Sequence, residues 1–395
     1  MLKKLSFAGT LILIFTISGC EYIAEPSESI EYDEQISGEV VPSGTPIEGQ
    51  YIVVMNKKKI VLGKTSIEIS SIAENILKDN SVLSYKIELI YTNAISGVTV
   101  KLSENEAAAL RSDSRVAIVE QDRIISLARP PGKGKPPKTP EPQQIPWGID
   151  RVGGFRDGSG KTAWIIDTGI DLKHADLNVD VGRSANFVPR GKDSPNDGHG
   201  HGTHVAGTIG AIDNDIDVVG VAANASLVAV RVLDNSGSGA YSWVIAGVDY
   251  VAANADSGDV ANLSLGGPPS DALDMAVVNA AVDMGVLFSL AAGNSGADAN
   301  NYSPARVDTS NVYTVSAIDD VDCMPFWSNW GNPPIEFSAP GVGVISTNKG
   351  GGTTSKSGTS MAAPHVAGLL LFGVINSDGS ALCDPDGNPD AIAYK

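Results

Sequence analysis

One proline limits how the segment Ser357-Gly-Thr-Ser-Met-Ala-Ala-Pro-His-Val-Ala-Gly368 can fold, and with it the end of the chain. The apolar run Val366–Val374 favours a helix, yet Pro364 lacks an N–H and is tolerated only near a helix start. The helix must therefore begin near Ser360. Its hydroxyl and backbone N–H then stand at a helix N-terminus, where partial positive charge favours a developing anion. A Gly/Ser-rich turn is the plain alternative, so the decision rests on what lies upstream.

Upstream, the buried-strand run Ala163-Trp-Ile-Ile166 ends in Asp167-Thr-Gly-Ile-Asp171. Functional groups of a parallel α/β sheet gather beyond the C-terminal ends of strands, where Asp167 stands. Asp-Thr-Gly alone is a weak signal, found in plain turns and in aspartic proteases, and the second copy a carboxylate pair needs is absent. Three histidines follow in Asn196-Asp-Gly-His-Gly-His-Gly-Thr-His-Val-Ala-Gly-Thr208, and Thr203–Ile212 should continue as a helix. A zinc site needs further ligands at suitable spacing, and no such set is evident. Two more strand runs end in polar turns: Val260–Leu263 enters Ser264-Leu-Gly-Gly-Pro268, and Val286–Ala292 enters Gly293-Asn294. A phosphate-loop reading of Gly158-Ser-Gly-Lys-Thr162 fails, because Phe155 occupies the position of its first glycine and the segment precedes a strand.

In content and order these segments resemble the subtilisin-like serine proteases, over roughly residues 48–128 and 143–395. The resemblance implies a doubly wound parallel sheet with flanking helices and a serine endopeptidase. By position, Asp167 would orient His201, the general base, and Ser360 would be the nucleophile. Asn294 and the Ser360 N–H would be the oxyanion donors. Ser264, Leu265, Gly266 and Gly267 would meet the substrate backbone; Leu265–Gly267 with Ala291, Ala292 and Gly293 would flank a broad apolar pocket; Leu233 and Tyr241 would line a second. Gly200 and Gly202 would leave room for substrate beside the ring, while His204 and His365 are assigned to the core. The rival class is a catalytically silent scaffold that binds peptides in the same cleft. It requires loss of a triad or oxyanion residue, and none is lost.

The first globular stretch reads as strand Tyr51–Met55, helix Ile67–Leu77, strands Val82–Ile90 and Val98–Leu102, and strand Val116–Glu120. Ser103-Glu-Asn-Glu106 is a capping box opening a helix through Leu110. That is a small ferredoxin-like α+β unit, and the pattern alone carries no chemistry. The segments Val98–Glu106 and Arg115–Asp122 resemble the inhibitory propeptide of the same family, whose C-terminal tail blocks the active site. Arg129–Pro142, dense in Pro and Lys, is a stiff linker suited to maturation cleavage between about Ala128 and Gln144.

At the other end, Lys3 and Lys4 precede the apolar run Leu11–Ile17, too short to span a membrane. It closes on Ile17-Ser-Gly-Cys20, which resembles a lipoprotein signal with Cys20 lipidated; an ordinary secretory signal is the alternative, and both imply export. The expected organisation is signal peptide 1–19, acidic tether 20–47, inhibitory propeptide 48–128, linker 129–142 and peptidase domain 143–395. A lipid-anchored precursor would then release a soluble mature enzyme. The net charge of −18 argues against nucleic acid as a partner, leaving peptide or protein substrates and the chain's own propeptide; it is read as a monomer.

Two further expectations concern the frame of the site. Cys323 and Cys383 lie past the signal and are either bonded or two free thiols, since sequence carries no distance. Ile212-Asp-Asn-Asp-Ile-Asp-Val218 resembles the family's calcium loop. The implied ligands are the carbonyls of Ile212, Ile216 and Val218 with Asn214, Asp176 and Gln143, a mixed oxygen set of the kind calcium accepts. An acidic surface loop is the alternative, Asp217 departs from the usual glycine, and Gln143 lies just after the linker, so full coordination would call for a freed or repositioned N-terminus and tie calcium to maturation.

Overall fold

The computed structural model describes residues 41–60, 62–127, 141–373 and 375–395. The expected signal peptide, Cys20, most of the tether, Ala128 at the end of the expected propeptide, and residues 129–140 of the linker lie outside them.

The N-terminal unit runs β1 (Pro46–Met55), α1 (Ser66–Asp79), β2 (Ile87–Tyr91), β3 (Gly97–Lys101), α2 (Glu104–Arg111) and β4 (Val116–Ser126), in the expected order. Both helices start on reciprocal caps, Ser103 with Glu106 and Thr65 with Glu68; the second pair escaped the sequence reading. β2 begins at Ile87, not Val82. After α1 the chain turns through Ser81 (φ 63°), and the Val82 N–H returns to Leu77 O at 2.9 Å, so Val82 closes the helix instead of opening a strand. Tyr51, Val53, Ile69, Ile76, Val98, Val100 and Leu110 are buried together between sheet and helices.

The larger unit is built on β5 (Thr162–Asp167), β6 (Ala185–Asn186), α3 (His201–Gly210), β7 (Ser226–Arg231), β8 (Ser238–Ala240), α4 (Tyr241–Asn254), β9 (Val260–Leu263), α5 (Asp271–Val282), β10 (Leu287–Ala291), β11 (Val312–Ile318), β12 (Ile335–Pro340), β13 (Val344–Thr347), β14 (Thr353–Lys356), α6 (Thr359–Leu370), β15 (Asn376–Ser380) and β16 (Ala391–Tyr394). Its main sheet has the order β15-β16-β12-β11-β10-β9-β5-β7-β6 and is parallel except at the β15–β16 hairpin. Both faces are covered, so β5 reads as a continuous apolar run. Trp164 and Ile166 pack into the cluster of α4 and α5, and Ala163 and Ile165 into that of α3 and α6.

The C-terminal stretch completes this frame. Its β16 joins the edge of β12, Ile392 and Ala393 are buried, and Cys323 and Cys383 are bonded with Cα atoms 5.3 Å apart. The helix expected over Thr203–Ile212 stops at Gly210, because the chain turns extended at Ala211 and the Ile212 N–H bonds to Asp176 O at 3.1 Å. Gly158–Thr162 is a turn entering β5, held by Ser159 on the Asp157 carboxylate.

Candidate active site

Asp167 ends β5 and His201 opens α3. Asp167 is fully buried, and His201 Nδ1 lies 2.8 and 2.9 Å from its two carboxylate oxygens. The two elements meet through glycine. A Cβ on Gly202 would stand 2.1 Å from Gly169 O, so this glycine serves helix–strand approach, not room for substrate as expected. Gly200 is needed for its φ of +97° at the helix start.

Beneath them lies a residue whose role was not read from the sequence. Asp197, 1% exposed, accepts from Thr168 Oγ1 (2.9 Å), His199 N (2.8 Å) and Gly200 N (2.7 Å) on one oxygen, and from Thr203 N (3.0 Å) and Thr203 Oγ1 (2.6 Å) on the other. Thr168 Oγ1 in turn accepts from Gly202 N at 2.9 Å. A single buried carboxylate thus ties the end of β5 to the first turn of α3. Neither its type nor its spacing distinguishes it from an ordinary turn aspartate.

Ser360 is the second residue of α6, which packs on α3. Its Oγ donates to Ser264 O at 3.0 Å. Pro364 lies one turn in, where its missing N–H would have met the Ser360 carbonyl; Ser264 Oγ donates to that carbonyl instead, at 2.9 Å. Ser264, expected to touch substrate, therefore also secures the helix start. Asn294 presents its carboxamide oxygen to Thr359 N (2.8 Å) and Thr359 Oγ1 (3.0 Å), which fixes the orientation of the amide.

Ser264, Leu265, Gly266, Gly267, Ala291, Ala292, Gly293, Asn294, Thr359 and Ser360 line one cavity, bringing the expected pocket residues together. Leu233 and Tyr241 are buried in one apolar cluster with Leu265 and with Ile125 of β4. His204 and His365 sit in the core as expected. His204 Nε2 faces Val344 O and Thr354 O, His365 Nδ1 faces Met361 O, and burial lowers the pKa of both.

The end of β4 occupies this cleft. Ile124–Ser126 pairs antiparallel with β8, Leu127 N donates to Gly237 O at 3.0 Å, and Ser126 and Leu127 line the cavity of Ser360. Burying Ile125 completely contributes on the order of 1.5–3 kcal/mol to holding the tail. The rest of the N-terminal unit rests on α4 and α5. Asp122 accepts from Ser242 N at 3.1 Å and Glu120 from Ala272 N at 3.3 Å, so both carboxylates meet helix N-termini. Asp249 in α4 accepts from the N–H groups of Thr92, Asn93 and Ala94.

The expected calcium ligands gather at a separate loop. Asp176 is fully buried and accepts from Asn214 Nδ2 (2.7 Å) and Val218 N (3.3 Å); burial pushes its pKa up to about 7. Gln143 Oε1 accepts from Asn214 N at 2.6 Å, and Gln143 N donates to Asp215 O between Ile212 and Ile216. Gln143 thus docks on this loop in the uncut chain. Asp217 holds the glycine-like φ of +56° and accepts from Glu141 N.

Comparison with known proteins agrees with this geometry. Residues 158–373 match the Subtilase family and residues 50–128 match Peptidase inhibitor I9. The chain is 41% identical to Alkaline serine exoprotease A of Vibrio alginolyticus over 346 residues, covering 84% of this chain and 62% of that protein. It is 37% identical to Proteinase R of Parengyodontium album, covering 73% of each chain. A crystal structure of a cold adapted subtilisin-like serine proteinase superimposes with a TM-score of 0.56 at 42% identity, covering 63% of this chain and 97% of the other.

Proposed function

The chain belongs to the subtilase family, and on that premise we propose that it is a serine endopeptidase made as a self-inhibited zymogen. The observation that carries the reading is the buried Asp167–His201 pair at the start of α3, against which the helix of Ser360 packs, with the chain's own tail lying in the cavity that Ser360 lines.

Ser360 Oγ attacks the scissile carbonyl while His201 Nε2 takes its proton; the proton now directed at Ser264 O must first turn to the ring. Asp167 holds the Nδ1–H and thereby the tautomer. Negative charge on the carbonyl oxygen is met by the Asn294 amide and the Ser360 N–H. The amine leaves with the proton from His201, and water, deprotonated by the same ring, releases the acyl group from Ser360. Side-chain preference follows the apolar walls at Leu265, Ala291 and Ala292 and at Leu233 and Tyr241.

A fluorophosphonate should label the mature domain at Ser360 and leave Ser360→Ala unlabelled. Failure to label active-site-exposed, folded protein refutes the reading. Ser360→Ala should also persist at full length in a protease-free host.

The same reading extends to the frame and the chain ends. Calcium would suit the loop of Asp176, where a cation would keep a buried carboxylate ionised; Gln143, Asp176, Asn214 and the carbonyls of Ile212, Ile216 and Val218 would hold it, stabilising the fold. Melting of chelated Ser360→Ala protein with and without calcium tests this, and an unchanged midpoint removes the site. Export through residues 1–19, lipidation at Cys20 and cleavage between about Ala128 and Gln144 would leave the lipid on the propeptide and free the catalytic domain. Lipid label on the mature domain would contradict that order.

A further inference from the structure

The segment before β1 makes contacts that blockade by the tail does not require. One flank of the tail pairs with β8; the other is taken by Val41–Thr45. Gly44 N donates to Ile124 O at 2.7 Å, Ile124 N to Thr45 O at 2.8 Å, and Ser126 Oγ to Val41 O at 3.0 Å. The same segment lies against the turn after β9. A Cβ on Gly44 would stand 2.7 Å from Pro268 Cγ, and one on Gly267 would stand 2.7 Å from Ser43 Oγ. Ser43 also lines the cavity of Ser360, and Gly44 holds a φ of +89° that favours glycine.

We propose that the turn Val41–Thr45 is a second inhibitory element, docked between the tail and the Gly267–Pro268 turn so that the tail is held from both flanks. The proposal rests on reading this cleft as the active site. An extended segment bound through backbone on one side can peel away from its free side; a partner on that side adds backbone bonds and fills the space between the tail and the Gly267–Pro268 turn. Cutting the linker frees the end of the tail but leaves Val41–Thr45 joined to β1. The cut propeptide then has two segments to withdraw, and the turn delays the onset of activity.

Two experiments on the full chain test this. In the Ser360→Ala background, Gly44→Cys and Pro268→Cys would place Cβ atoms about 3.7 Å apart, within the roughly 3.5–4.5 Å a disulfide spans. Air oxidation should yield peptides linked through positions 44 and 268. In the active chain, Gly44→Val should shorten the interval between linker cleavage and appearance of activity several-fold. Gly49→Val is the control, since its φ of +65° imposes comparable strain inside the propeptide's own sheet, beside Leu102 O. Free thiols at both engineered positions in a folded chain, an unchanged interval, or equal shortening by Gly49→Val would each overturn the proposal. Cleavage of the linker by Ser360→Ala would instead refute the enzyme reading, which keeps the two failures apart.

Discussion

Asn in place of Asp197 should cripple the site without touching any group that meets substrate. The carboxylate has three donors on one oxygen and two on the other. An amide can keep the first three only by turning its NH2 toward the Thr203 N–H and hydroxyl. The hydroxyl can rotate, but it already accepts from Asp171 N at 2.9 Å, so the N–H is left facing another donor in a fully buried place. One unpaired buried N–H costs about 1–3 kcal/mol, and weakening the charge-assisted bonds brings the total to about 3 kcal/mol, or roughly 6–12 °C in melting midpoint for a domain of this size. The displaced turn carries Gly200 and His201, and a misplacement near 1 Å costs on the order of 10²-fold in rate. Melting should be measured in the Ser360→Ala background to suppress autolysis, and kcat and KM on a peptide substrate in the active one. Asp197→Asn should lower kcat with KM nearly unchanged. A midpoint shift below about 2 °C with kcat within about two-fold of the parent would show that Asp197 does not organise the site.

Three further outcomes follow from the same structure. Thr359→Ala should lower kcat by about ten-fold by loosening the Asn294 amide, less than the roughly 10²- to 10³-fold expected for Asn294→Leu, the range known for the matching asparagine of subtilisin itself; equal effects would contradict this ordering. Burial raises the Glu336 carboxyl to about 8 although Thr314 N donates to it, so the folded state binds a proton the unfolded state has lost, and its stabilising share is present at acidic pH and disappears as pH rises through about 8. Glu336→Gln should accordingly gain stability over the parent at pH 9 but not at pH 4, and parallel melting curves at both pH values would refute it. Cys383→Ser opens a crosslink spanning 60 residues, worth about 4 kcal/mol in chain entropy, and should lower the midpoint under non-reducing conditions; an unaltered midpoint would count against the bond.

The parts legible in sequence were those whose chemistry is local. Ser360, His201 and Asp167 stand in short segments whose glycines, alanines and proline are needed for close backbone approach, so their surroundings are written beside them. Roles created by contact across the fold were not. Asp197 looks like a turn residue until Thr168 and Thr203 are brought to it, and Ser264 reads as a substrate contact until Pro364 leaves a carbonyl for it to meet. Gly202 reads as room for substrate until Gly169 O, thirty-three positions away, is brought against it. The boundaries of β2 and α3 shifted for the same reason, each settled by one hydrogen bond at a turn.

The carboxylates that β4 lends to α4 and α5 have a consequence for refolding of the enzyme. The α4 helix has Ala240 as its N-cap and so no side-chain cap of its own, and Asp122 satisfies a donor there that the larger unit leaves open. With residues 48–128 removed, water would have to take that place, and the helix start would be held less well than in the uncut chain. A molecule unfolded after cleavage would refold without that partner, so recovery of activity from denaturant should rise when residues 48–128 are supplied in trans and should be unchanged if these contacts do not matter.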